Sequence, residues 1–254
     1  MWQVNWKLAT AVGVAAYLLF MLMTFPAARV YAWWLSGIPE LEVAAVEGSI
    51  WSGGALGVRV GDTTVRSLRW HARPLQLLRL RPTWDLDARL EEGFVRTRLA
   101  VTPGGAIDLR DVQGQFPLPL LAPVLELPPN MLRGEVNVGF DRLLINGLPR
   151  YAEGRATLGD AAFRIGRNVT ALGHFIAEVD TGEDGVLMAN IRDRGEGPLR
   201  VEGTASLDPQ TDDYRVDLNL RARDTESSLA DMLSGVGQGQ ADGTRLLQLG
   251  GSLR

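Results

Sequence analysis

Past residue 39 the chain alternates. Trp84, Leu86, Ala88 and Leu90 are separated by Asp85, Asp87 and Arg89, with Glu91 following. Val136, Val138 and Phe140 interleave with Glu135, Asn137 and Asp141, and Tyr214, Val216, Leu218 and Leu220 with Arg215, Asp217, Asn219 and Arg221. Period-two runs of this kind put apolar side chains on one face and charges on the other, as in antiparallel strands with one wet face. Turn signals divide the runs: Gly61-Asp62, Pro103-Gly104-Gly105, Asn146-Gly147, Glu183-Asp184-Gly185 and Asp208-Pro209. The expected fold class is therefore mainly β, an antiparallel meander with a few short helices, its sheet curved where apolar-x-Gly-x-apolar recurs around Gly48, Gly114, Gly134, Gly154, Gly203 and Gly251. Pro74 to Leu80 reads as a short helix opening on proline. Thr225 to Leu233 reads as another, capped by Asp224 or Thr225 and ended by Gly235. The five prolines from Pro117 to Pro129 exclude a long helix there, leaving at most one turn around Leu120 to Leu125.

The N-terminus follows a different pattern. Leu8 to Ala28 holds no charged residue, and at ~1.5 Å per residue it spans about 31 Å, the thickness of a bilayer's hydrocarbon core. Trp2 and Trp6 precede the run, while Tyr31, Trp33 and Trp34 follow it, where amphipathic rings meet the two membrane interfaces. Lys7 and the α-amino group mark the short side as cytoplasmic, with Arg29 opposing that bias. A cleaved signal peptide is the competing reading. Its apolar segment would be shorter, and Val30-Tyr31-Ala32 is a poor cleavage site. The expected organisation is a cytoplasmic N-terminus (1–7), a transmembrane helix (8–28), a juxtamembrane segment (29–39), a first β half (40–116), a proline-rich connector (117–129) and a second β half (130–254).

Composition narrows the chemistry. The net charge of −4 argues against nucleic acid, whose phosphates need a basic excess. With no cysteine and only His71 and His174, thiolate zinc sites, cysteine nucleophiles and histidine clusters have nothing to build on. His71 stands among Arg66, Arg69 and Arg73, poor company for a cation, and His174 has no carboxylate near it in sequence. Asp85 and Asp87 lie on the polar side of a strongly alternating strand and read as solvated charges, not a catalytic pair, which would need one desolvated member. Gly235 to Gly239 follows a helix instead of preceding one, so it lacks the order of a phosphate-binding loop. The arginines from Arg66 to Arg81 form a solvated face that could also meet lipid headgroups or an acidic partner. No nucleophile, base and orienting group stand in order. Neither an enzyme, a cofactor nor a metal is expected.

One stretch carries a resemblance. Glu47-Gly-Ser-Ile-Trp-Ser-Gly-Gly-Ala55, with Gly48, Trp51, Ser52 and Gly53, is followed by Leu68-Arg69-Trp70 and by Pro74, Leu75 and Leu77-Leu78. Leu132-Arg-Gly-Glu-Val-Asn-Val holds Gly134, and Gly197-Pro-Leu-Arg-Val-Glu-Gly203 with Ala205 comes later. Together they resemble protein N of the bacterial type II secretion system, over nearly the whole chain, with more distant similarity to AsmA-like envelope proteins. Tyr151-Ala-Glu-Gly154 departs from the pattern by leading on without a tryptophan. The resemblance implies a non-enzymatic, single-pass inner-membrane component with a periplasmic C-terminal domain. It would help export folded proteins from the periplasm, with other secretion components of the inner-membrane platform, and exported proteins, as partners. The alternative is an AsmA-like module whose apolar concave face shelters lipid, decided by whether helices such as Thr225 to Leu233 cover that face.

Overall fold

A computed structural model of the protein describes residues 10, 13–14, 17, 20–21, 24–30, 41–60, 63–77, 81–122, 128–165, 168–224, 228–235 and 237–252. The chain is mainly β and forms two compact units, Met1–Glu91 and Glu92–Arg254. That division precedes the proline-rich stretch, of which Leu118 and Ala122 pack within the second unit.

In the first unit, β1 (Leu41–Gly48), β2 (Ser52–Val60), β3 (Thr63–Ala72) and β4 (Thr83–Leu90) pair antiparallel in chain order. Register sorts the side chains by face. Gly53, Trp70 and Leu86 share one row of the apolar face, and Ser52, His71 and Asp85 share the next row on the polar face. A short helix α1 (Ala27–Val30) precedes the sheet, and α2 (Pro74–Leu77) joins β3 to β4, opening on proline as expected. Positions 10, 13, 14, 17, 20 and 21 are helical, and Val14, Tyr17, Phe20 and Met21 are exposed. Positions 8, 9, 11, 12, 15, 16, 18, 19, 22 and 23 of the apolar run 8–28 lie outside the described residues, as do Trp2, Trp6, Lys7, Trp33 and Trp34. Among the described residues no helix is long and apolar enough to cross a membrane.

Among the described residues of the second unit ten strands run antiparallel: β5 (Phe94–Val101), β6 (Ile107–Pro117), β7 (Leu132–Asn146), β8 (Leu148–Ile165), β9 (Asn168–Thr181), β10 (Leu187–Asp193), β11 (Leu199–Asp208), β12 (Asp213–Ala222), β13 (Gln238–Gly239) and β14 (Arg245–Ser252). They follow chain order except that β14 lies between β12 and β13. Asn146-Gly147 makes the turn from β7 to β8. Two helical pieces cover parts of the apolar face. A 3-10 turn, Leu118–Leu121, sets Leu118 and Ala122 on Leu132 and Val136, with Phe116, Val138, Leu158 and Phe163 around them. Helix α3 (Ser228–Ser234) sets Leu229 and Leu233 on Leu199, Val201 and Ala222. Each fully buried leucine contributes about 1.5–3 kcal/mol through removal from water. Of the two expected caps, Asp224 lies in a bend four residues before Ser228 and Thr225 lies outside the described residues.

Candidate functional site

The residues singled out at 48–53 and 70–74 come together. Gly48 ends β1 with φ +85°, a left-handed conformation that disfavours a side chain. Ser49 then closes the turn on itself: its N–H donates to Ser52 O (2.9 Å), and its Oγ accepts from the N–H groups of Trp51 and Ser52, each at 3.2 Å. This serine turn leaves successive carbonyls pointing outward, and strands β3 and β4 satisfy all three. Trp70 Nε1 donates to Ser49 O at 2.9 Å, Trp84 Nε1 donates to Ile50 O at 3.1 Å, and the Ala72 N–H donates to Trp51 O. Gly53 permits the clasp, since a Cβ there would stand 2.6 Å from the Trp70 ring. Each bond adds about 0.5–1.5 kcal/mol net, and an unmet buried carbonyl would cost more.

The same turn holds the segment that follows the apolar run. Ile50 N–H donates to Phe25 O at 3.1 Å, Pro26 bridges to Ser49, and Ala27 is buried. Pro74 starts α2 immediately beyond Arg73, whose N–H donates to Thr83 O at 2.9 Å, tying the β3–β4 crossover. Beside the turn an open groove of about 460 Å³ is lined by Gly48, Ser52, Gly53, Leu56, Leu68 and Arg69, among others.

The polar face of this sheet pairs its charges across strands. Arg73 Nε lies 2.8 Å from Asp85, Arg69 is the register partner of Asp87, and Asp87 lies 3.8 Å from Arg89. The arginine stretch and the two aspartates, read separately in the sequence, thus partly neutralise one another. His71 Nδ1 stands 3.3 Å from Ser52 Oγ and opposite Asp85. This row contains serine, histidine and aspartate, yet His71 is exposed and the Asp85 carboxylate is engaged by Arg73. His174, without a carboxylate near it in sequence, acquires one from β8: its Nε2 is 3.8 Å from Asp160, and its Nδ1 accepts from the Asp160 N–H at 3.3 Å. Asp160 is itself 92% exposed, so that pair lies open to water.

Gly134 and Gly203 sit apart from the clasped turn, on β7 and β11. A Cβ on either would collide with the backbone of the next strand, at Gly159 O and Asp217 O respectively. They are packing positions. Sequence patterns alone missed two charged centres in the second unit. Asp108, fully buried, is gripped by Arg110 at 3.4 Å and Arg142 at 3.1 Å. Asp193 accepts from the N–H groups of Gly195 (2.9 Å) and Val201 (3.2 Å) and from Arg223, which also donates to Gly197 O at 2.8 Å. Burial raises the Asp193 pKa, but those backbone donors and Arg223 outweigh it, and the net shift is downward. Among the described residues no three acidic or histidine side chains are grouped to hold a metal ion.

An antiparallel meander whose named residues clasp a turn defines a β-scaffold protein. The family model for the type II secretion system (T2SS), protein N, matches residues 39–248, so the chain belongs to that family. It is accordingly a type II secretion component, and the family is not one of known enzymes. The match begins after the apolar run. No curated protein and no solved structure matches the chain significantly.

Proposed function

We propose that the protein is a non-enzymatic, single-pass inner-membrane component of the type II secretion system. In this reading residues 8–28 anchor it and both β units lie in the periplasm, where they contact other platform components during export of folded proteins. The observation that carries the reading is the docking of Phe25–Ala27 on the clasped turn. The segment that follows the helical positions up to residue 21 is thereby joined to the sheet by hydrogen bonds and not by a loose tether, as a positioning device requires. The exposed apolar side chains at 14, 17, 20 and 21 support insertion, since they find no cover in the protein.

The lipid-sheltering alternative has less support. The apolar face of the second unit is occupied by Leu118 and Ala122 at one place and by Leu229 and Leu233 at another. Phospholipid copurifying in stoichiometric amount with detergent-extracted protein would revive it.

The deciding experiment is deletion in the native host with assay of secreted proteins. Accumulation of exoproteins in the periplasm supports the assignment. Normal secretion, combined with no crosslink between this protein and any platform subunit, would falsify it. Membrane fractionation tests the anchor separately: resistance to carbonate extraction is expected, and release into the soluble fraction would sink it.

A further inference from the structure

Edge strands present unpaired backbone N–H and C=O groups, and proteins blunt them with charges, proline, bulges or a covering element. β1, the edge strand of the first unit, follows that rule: Glu42 and Glu47 are exposed along it, and Pro26 bridges to Ser49 at its end. β14 does not. Its outer side is covered by β13 only at Arg245 and Leu246, and Gly237 extends that cover to Leu247. Among the described residues no strand pairs with residues 248–252 on that side, and all five are exposed. The stretch reads Gln-Leu-Gly-Gly-Ser, without a charge, a proline or a break in its register on β12.

This open stretch is complementary to itself. Gly250 is its centre, the cover from β13 blocks a longer overlap at one end, and the pairing on β12 stops at Ser252 at the other. Two copies paired antiparallel about that centre set Gly250 against Gly250, Leu249 against Gly251 and Gln248 against Ser252. Leu249 is 52% exposed on the apolar face, in the row of Val216. Gly251 lies in the next apolar row with the Tyr214 ring leaning over it, since a Cβ there would stand 3.1 Å from that ring. Leu249 of each copy thus enters the gap at the other copy's Gly251 and meets its tyrosine. On the polar face the row of Arg215 and Gly250 falls between rows holding Asp217 with Gln248 and Asp213 with Ser252. The bare glycine lets Arg215 lean towards the seam, where the second copy adds its own Asp213 and Asp217 to the flanking rows. The two Arg215 residues start about 14 Å apart, three strand spacings, so their mutual repulsion is the weaker effect.

We propose that β14 pairs edge to edge with β14 of a second copy of this chain, extending the sheet of the second unit across a two-fold axis. Such a pairing uses the same edge in both copies, so it closes as a dimer and does not grow into a fibre. A five-residue pairing is smaller than a standard interface of roughly 1,600 Å², so the dimer is concentration-dependent. The inference goes beyond the secretion role and does not rest on the membrane anchor.

The test uses the full chain in detergent. The protein has no cysteine, so a single introduced cysteine reports only on its own second copy. Residues on the axis have Cα atoms about 4.5–5.5 Å apart, within the ~4.4–6.8 Å that a disulfide spans. One residue off the axis, a position and its own copy are about 8 Å apart. Gly250→Cys should therefore give a disulfide-linked dimer under mild oxidation, in clear excess over Leu249→Cys and Ser252→Cys. A Cβ at Gly250 comes no closer than 3.4 Å to Tyr214 O, so the strand accommodates it. Sedimentation velocity of the native protein should show a dimer fraction that rises with concentration. Leu249→Lys, which places a charge on each strand of the seam, should weaken that association about 10-fold or more. A monomer at every concentration overturns the proposal, and so does a Leu249→Lys protein that associates like the native one. Equal disulfide yields at the three positions, or a maximum away from Gly250, overturn the register. If Leu249→Lys does not fold, the cysteine comparison decides alone.

Discussion

At the residue scale, two tryptophan N–H groups and one missing Cβ hold the β1–β2 turn. Trp70→Phe keeps the ring but leaves Ser49 O without its donor, so a loss of about 1–2 kcal/mol in denaturant unfolding is expected. Gly53→Ala should cost at least as much, because the new methyl meets the Trp70 ring and that ring cannot withdraw without giving up its bond. Asp193 gives a pH-dependent case. Its folded pKa lies below the ordinary value of about 4, so its stabilisation is complete above that value and is lost as pH falls through the folded pKa. Asp193→Asn should therefore destabilise by roughly 1.5–3 kcal/mol at neutral pH. The gap to the native protein should close below about pH 4; a gap constant down to pH 2 would show that the carboxylate's charge is irrelevant.

At the scale of elements, α3 and the 3-10 turn at Leu118–Leu121 do the same job on different strands. Leu229 is 2% exposed and touches the buried side chains of β11 and β12, so Leu229→Ala should cost about 2–4 kcal/mol by transfer and cavity terms. Met232→Ala, at a partly buried position of the same helix, should cost less, and thermal melts of the two variants provide the check. Much of this was legible in the sequence. Leu229, Met232 and Leu233 stand at helical spacing, and the helix is found at Ser228–Ser234. β4, β7 and β12 fall on the alternating runs from which they were predicted. One irregularity was legible, the register slip at the strand glycine Gly134, and others were not. β8 is eighteen residues long and slips register near Gly159 and Asp160, with Asp160 at φ +49°. A bulge is set by what the neighbouring strands demand, and an isolated strand's pattern carries no record of that.

For the whole molecule, the apolar run and the docked segment behind it make a further prediction. If the helix serves only to position the β units, replacing residues 8–22 by an unrelated apolar helix of equal length should leave secretion unchanged, provided 24–30 remain to dock. Inserting a flexible Gly-Ser stretch between 24 and 25 should impair secretion while leaving the protein's abundance near normal in immunoblots. Loss of secretion on the helix swap alone would instead point to a sequence-specific helix partner within the membrane.

What the sequence determined by itself was everything local. The two faces of each strand follow from period two, the turns from their glycines and prolines, and the candidate membrane span from twenty-one uncharged residues. The family was also within reach, because the order of Gly48, Trp51, Ser52, Gly53, Trp70 and Pro74 is a one-dimensional property. Tertiary structure decided which polar groups meet. Trp84 reaches a carbonyl 34 positions earlier, Asp108 lies between arginines 2 and 34 positions away, and Arg223 closes on an aspartate 30 positions back. The reason is register: side-chain alternation tells which face a residue occupies, while only the pairing of strands tells what stands opposite it.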